Sequence, residues 1–161
     1  MDDADLGVTL ITPKLNGIET INVDVVGQDL AKALDLQDTT GVKTVNVSRI
    51  NAATTNYSTL NIAEALSTMS VNNSQAPTST VWFDFLDSAL AGGNDSADVV
   101  LNNANIGVLS IEGINEGYET SNVSSVGSDN SVGLFSAEDL QTLNITGDQD
   151  LTLGGTTVVR D

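Results

Sequence analysis

GIETINVDVV, residues 17–26, decides how this chain folds. Apolar and polar residues alternate strictly in it, with Ile21, Val23 and Val25 on one side and Thr20, Asn22 and Asp24 on the other. Successive side chains of a β-strand point to opposite faces, so this is the pattern of a half-buried strand. Nearly the same phrase returns as GVKTVNVS at 41–48, STMSVN at 67–72 and LQTLNITG at 140–147. With threonine as the marker, Thr20, Thr44 and Thr68 stand 24 residues apart, and Thr120 and Thr142 stand 22 apart. A phrase recurring every ~20–50 residues marks a solenoid, whose repeats bury their apolar faces only by stacking on one another. A β-sandwich, the alternative, needs a turn every ~8–12 residues but no recurring phrase.

The period therefore predicts an all-β chain folded as an irregular parallel β-helix, a solenoid-like stack of short strands. Ile21, Val45 and Met69 should share one inward column and Val23, Val47 and Val71 the next. Asn22, Asn46 and Ser70 should face the other way, where like side chains can form hydrogen-bonded ladders. Shorter alternating runs, such as YSTLNI at 57–62, VWFDFLD at 81–87 and GVLSIE at 107–112, lie between turn signals such as DTTG, AGGND and NEG. QDLAKALDL at 28–36 and SAEDL at 136–140 could each form two helical turns. The 52 residues between Thr68 and Thr120 break the rhythm. That places an irregularity, or a bend or subdomain boundary, near 73–95, in a chain otherwise read as one repeat domain over 1–161.

Apolar residues make up 40% of the 161 and aromatics 4%, so the core must be built from Val, Ile, Leu and Ala. No apolar run is long enough to span a bilayer. Met1 is followed by Asp2, Asp3 and Asp5, the reverse of the basic start of a secretory signal, which suggests a fragment of a larger protein. Twenty-two acidic residues stand against 5 basic ones, and no Lys or Arg occurs between Arg49 and Arg160, a span holding 13 Asp and Glu. A nucleic-acid partner is excluded, because phosphate binding needs a cationic footprint. Carboxylates without counter-ions repel, and divalent cations or high salt are expected to neutralise them. The absence of Cys and His removes disulfides, thiolate and imidazole metal sites and the usual nucleophile–base pairs.

GIETINV, GVKTVNV, GYETSNV and LQTLNITG, alternating with Gly/Asp/Asn-rich loops such as ALAGGNDSAD, make most of the chain resemble bacterial S-layer and related giant surface proteins. These are the repeat-rich, type I-secreted proteins of Gram-negative bacteria, the Caulobacter-type S-layer family among them. The resemblance implies a structural, non-enzymatic domain at the cell surface, outside the cell. It further implies calcium-dependent self-association into an array or filament. The RTX calcium nonapeptide, G-G-x-G-x-D-x-U-x, is nowhere intact; GGNDSADVV at 92–100 is nearest to it.

Calcium takes six to eight oxygens from carboxylates, carbonyls and amides. The Gly-rich turn at 91–98 offers Asn94, Asp95 and Asp98, with Asp84 and Asp87 able to contribute if the chain folds back. Asp148 and Asp150 on the turn GDQD, and DLQD at 35–38, are further candidates; Asp and Asn at such places also simply serve turn geometry. An adhesin or biofilm-matrix module, with cell-surface polysaccharide as partner, fits the same architecture. A polysaccharide-active β-helix enzyme needs two carboxylates for hydrolysis or a base for elimination, for which the long central region offers only Tyr57 and Tyr118. The Thr-x-Asn faces also suit an ice-binding solenoid, although three in-register copies are few.

Overall fold

The recurring phrase forms one wall of the molecule. A computed structural model describes residues 8–26, 31–51 and 56–157. The wall consists of β3 (Thr20–Asp24), β6 (Thr44–Ser48), the first part of β8 (Thr68–Phe85), the first part of β9 (Ser96–Glu112), β10 (Thr120–Val126) and β12 (Thr142–Gly147). Each pairs in parallel with the next. The second wall runs β1 (Val8–Ile11), β4 (Ala31–Asp35), β7 (Asn56–Ile62), the later parts of β8 and β9, and β11 (Asn130–Ser136). β13 (Leu151–Leu153) and β14 (Thr156–Thr157) pair with β11, and β2 (Leu15–Asn16) with β5 (Thr39–Thr40). The result is a parallel β-solenoid of about six turns. Parallel pairing throughout both walls rules out the sandwich.

The inward columns fall where the phrase places them. Ile21, Val45, Met69, Val99, Val123 and Ile145 are register partners, as are Val23, Val47, Val71 and Leu101. From Val45 to Val123 these side chains are 0–2% exposed. Fully burying each contributes roughly 1.5–3 kcal/mol. Asn22, Asn46 and Ser70 share the outer face: Asn46 Nδ2 donates to Asn22 Oδ1 at 2.8 Å, and Ser70 Oγ to Asn46 Oδ1 at 2.6 Å.

The lost rhythm after Thr68 has a simple cause. Thr68 pairs with Asp98, Asp98 with Asn122, and Asn122 with Asn144, so the stack is unbroken. One turn is 30 residues long, and the C-terminal phrases sit two places along, with Thr120 opposite Ser96. A slip of two keeps every side chain on its own face, whereas a slip of one would invert them all. The bend expected near 73–95 does not divide the molecule: β8 is one strand that turns the corner and pairs with β9 on both walls. The extra length sits in a 3-10 turn, Asp87–Ala89, and the glycine-bearing loop after it.

The corner between the walls is made by left-handed residues stacked one above another: Arg49, Asn73, Asn103 and Gly127, with φ of 63°, 46°, 55° and 79°. They follow directly on the register partners Ser48, Asn72, Asn102 and Val126. Asparagine and glycine tolerate this region best. At Gly127 space adds a second reason, since a Cβ would lie 2.1 Å from Asn102 Oδ1.

Neither expected helical stretch is helical among the described residues. Ala31–Asp35 is a strand because β1 and β7 pair with it on both sides, and a segment this short gains too little from helical bonds to compete. In SAEDL, Ser136 ends β11 and the chain turns with Asp139 at φ 56°, which buries Ala137 and Leu140 instead of winding them. Residues 28–30 lie outside the described residues.

If the inward columns hold the stack, Leu101→Ala should cost about 2–5 kcal/mol, whereas Asn46→Ala on the outer ladder should cost about 0.5–1.5 kcal/mol. Urea unfolding of both variants measures the contrast, and equal costs would contradict this division of labour.

Candidate functional site

Several carboxylates among the described residues are met by donors from a neighbouring turn. Asp98 stands on the outer face of β9, exposed, and its Oδ1 accepts from Asn122 Nδ2 at 3.0 Å. Asn122 Oδ1 in turn accepts from Asn144 Nδ2 at 2.9 Å. Asp35 Oδ1 accepts from Asn61 Nδ2 at 3.1 Å and from the Gln37 N–H at 3.0 Å. Ser110 and Ser136, from successive turns, both donate to Glu112. Asp24 is met by Ser48 and Arg49, and Glu19 by Lys43.

The loop at 91–98 does not gather its candidates. Asn94 is exposed, Asp98 is committed to its ladder, and Asp95 is half-buried and faces Glu119, 24 residues on. The Asp95 N–H donates to Glu119 Oε2 at 2.6 Å, and the Asp95 carbonyl accepts from the Thr120 N–H at 3.1 Å. Asp95 Oδ2 is sealed from solvent with no hydrogen-bond partner. Burial, and then the charge of Glu119, push the Asp95 carboxyl above its ordinary value.

Tyr118 closes this corner. Its hydroxyl donates to the Leu66 carbonyl at 3.0 Å and accepts from the Leu66 N–H at 2.8 Å, a link between residues 52 apart. Its ring meets Phe85 edge-on, with centroids 5.3 Å apart. Burial pushes the Tyr118 phenol well up and that of Tyr57 to about 12, so neither is poised as a base near neutral pH.

The remaining candidates lie apart. Asp148 and Asp150 are exposed on the turn after β12; the Asp148 N–H donates to the Ser125 carbonyl, and the Asp150 carbonyl accepts from the Asn130 N–H. Asp87 turns to the segment 112–115. Asp87 accepts from the Ile114 and Asn115 N–H groups at 2.9 and 3.1 Å and from Asn115 Nδ2 at 2.7 Å, which hold its carboxyl below the ordinary range. Asp84 stands directly opposite Glu112. Burial, followed by the charges of Asp87 and Glu112, raises its pKa against a lowering bond from the Asn61 backbone. Among the described residues no three acidic side chains converge to hold a metal ion.

Glu112 and Glu119 are the site residues that motif reading passes over. The spacing carried a signal for one of them, since Glu119 follows Asp95 by the 24 residues of a turn. Comparison with protein families, with curated proteins and with solved structures found no match.

Asp95 and Asp87 should respond to pH with opposite sign. A carboxyl raised on folding costs stability once ionised, and the cost is absent below its unfolded value, ordinarily 3.8. Asp95→Asn should therefore raise the melting temperature at pH 7, with the gain fading as the pH falls through the raised folded value toward 3.8 and gone below it. Asp87 is lowered, so its contribution is present above 3.8 and is lost as the pH falls through its folded value. Asp87→Asn should lower the melting temperature at pH 7 and have little effect in acid. Thermal melts of both variants between pH 2.5 and pH 7 check the two signs, and parallel curves would refute them.

Proposed function

We propose that this chain is a structural, non-enzymatic domain of a bacterial cell-surface protein, of the S-layer kind, which works by stacking and associating outside the cell. The observation that carries this reading is the unbroken in-register stack, with side-chain ladders on its outer face. A repeat whose every turn presents the same groups makes a rigid spacer. Among the described residues β3 pairs only with β6 and β12 only with β10, so each offers a row of backbone groups to another chain. An adhesin or biofilm-matrix role, with cell-surface polysaccharide as partner, is the second reading on the same scaffold. No helix of the described residues is long and apolar enough to cross a membrane.

Calcium enters this proposal between copies. Thirteen carboxylates lie between Arg49 and Arg160 with no cation among them, and two such surfaces approach only if something bridges them. Calcium at the ~10⁻⁴–10⁻³ M typical of extracellular sites can do so, whereas sodium only screens. Light scattering coupled to size exclusion, over a range of protein concentration, should show the mass rising with calcium and not with ionic-strength-matched sodium. A monomer under all these conditions would sink the assembly reading.

A further inference from the structure

One aromatic side chain points out of this rod. Trp82 is 48% exposed, whereas the five other aromatic residues are 0–2% exposed. Its neighbours in the stack are small: Ser58 stands opposite it on one side and Ser110 on the other. Asp84, two residues on and therefore on the same face, stands opposite Glu112. The Glu112 carboxylate is drawn back toward the indole's row, because Oε1 accepts from Ser110 Oγ at 2.8 Å and Oε2 from Ser136 Oγ at 3.1 Å. Ser110 and Ser136 are register partners, so two successive turns fix this carboxylate beside the row that holds Trp82. Two residues beyond Asp84 and Glu112 come Leu86 and Ile114, which are 41% and 82% exposed. The Ile114 N–H bond to Asp87 fixes that end of the surface.

Charge and shape together define what this surface can hold. An outward indole beside two large aliphatic side chains is apolar area that the fold leaves uncovered. The carboxylates next to it have no cation to answer them: burial acts first on Asp84, then a bond from the Asn61 backbone, then the charges of Asp87 and Glu112. A cation laid here would meet the face of the indole, whose ring quadrupole attracts positive charge, and two carboxylates at its edge. An aliphatic stem behind that cation would cover Leu86 and Ile114. Arginine fits better than lysine. Its planar guanidinium stacks on an aromatic ring and donates N–H bonds in a fork, whereas an ammonium is a strongly hydrated point charge. A neutral sugar would stack on the same ring but leave the carboxylates uncompensated.

We propose that the surface formed by Trp82, Asp84 and Glu112 binds an arginine side chain presented by a basic segment of another protein. The guanidinium lies on the indole and donates to Asp84 and Glu112, and its stem runs over Leu86 and Ile114. The one arginine among the described residues, Arg49, is already paired with Asp24, so the guanidinium is assigned to a different chain. The site lies on the second wall, apart from the edges β3 and β12 that the assembly reading uses, and it holds or fails without that reading.

A net charge of −17 attracts any polycation, so the test separates the site from the general field. The probe is a short blocked Gly/Arg peptide carrying a fluorescent label, with a Gly/Lys peptide of equal charge and a neutral cello-oligosaccharide beside it. Trp82 is the only tryptophan, so its emission reports on the site directly while the label's anisotropy reports binding. Trp82→Leu removes the indole, and Asp84→Asn with Glu112→Gln removes the two local charges. Asp148→Asn with Asp150→Asn removes two exposed charges on another turn. Circular dichroism checks that each variant folds, and Trp82→Leu, an exposed change, carries the test if the Asp84 and Glu112 variant does not. The Gly/Arg peptide should change the emission of the wild type, and the Gly/Lys peptide should bind more weakly by roughly threefold or more. Trp82→Leu, and the Asp84 and Glu112 variant, should each weaken the Gly/Arg peptide by roughly tenfold or more, as loss of a central anchor does. The Asp148 and Asp150 variant should stay within about twofold of the wild type. No binding, binding without a change in emission, equal binding of the Gly/Lys peptide, or equal losses from the two charge-removing variants overturns the proposal. So does an emission change that the oligosaccharide produces and the Gly/Arg peptide does not.

Discussion

Everything in this molecule depends on parallel, in-register pairing of each turn with the next. Neighbouring strands lie about 4.7–4.9 Å apart, so a residue at one position meets its counterpart of the next turn at that spacing. Inward, the constraint is easily satisfied, because valine on methionine on valine fills a column. Outward it selects residues that can bond to copies of themselves, which asparagine can do because its amide both donates and accepts. Asn22 with Asn46, and Asn122 with Asn144, are this solution. At the corners the same constraint stacks left-handed residues, so strain recurs at matching places.

Acidic residues are what such a stack tolerates least, since an aspartate in a ladder would face another at the same spacing. The chain meets a net charge of −17 by placing amides and hydroxyls between its carboxylates. Asp98 is followed by Asn122, Asp35 by Asn61, and Glu112 is held by Ser110 and Ser136. Where burial and a second carboxylate act together, proton affinity rises. Asp95 beside Glu119 and Asp84 opposite Glu112 are the described acidic groups pushed upward.

The sequence made the stack legible because a period of 24 and an alternation of two act together at Thr20, Thr44 and Thr68. It hid the register of the later turns. Asp98 and Asn122 occupy the place of Thr68, a substitution no motif search aligns, and the two-residue slip is energetically silent because it preserves facing. The 91–98 loop looked like a cation nest because composition cannot tell which way a side chain turns. Asp95 turns inward to Glu119 and Asp98 stands out on a strand, a divergence set by pairing with β10, 24 residues away. In VWFDFLD the alternation sends Phe83 and Phe85 inward and the indole of Trp82 out.

A parallel in-register stack also has the geometry of cross-β aggregates, which grow because every edge accepts an identical edge. The distribution of charge acts against that here. Two copies laid side by side along their later turns oppose carboxylates with carboxylates, and no Lys or Arg lies between Arg49 and Arg160 to relieve them. The first turns differ: Lys14, Lys32, Lys43 and Arg49 stand there, where a uniformly acidic rod would have carried none. Without a bridging cation, repulsion along the later turns opposes lateral sticking there more than at the first turns. The charge that makes each turn costly to stack thus also selects which surfaces of the finished rod can meet.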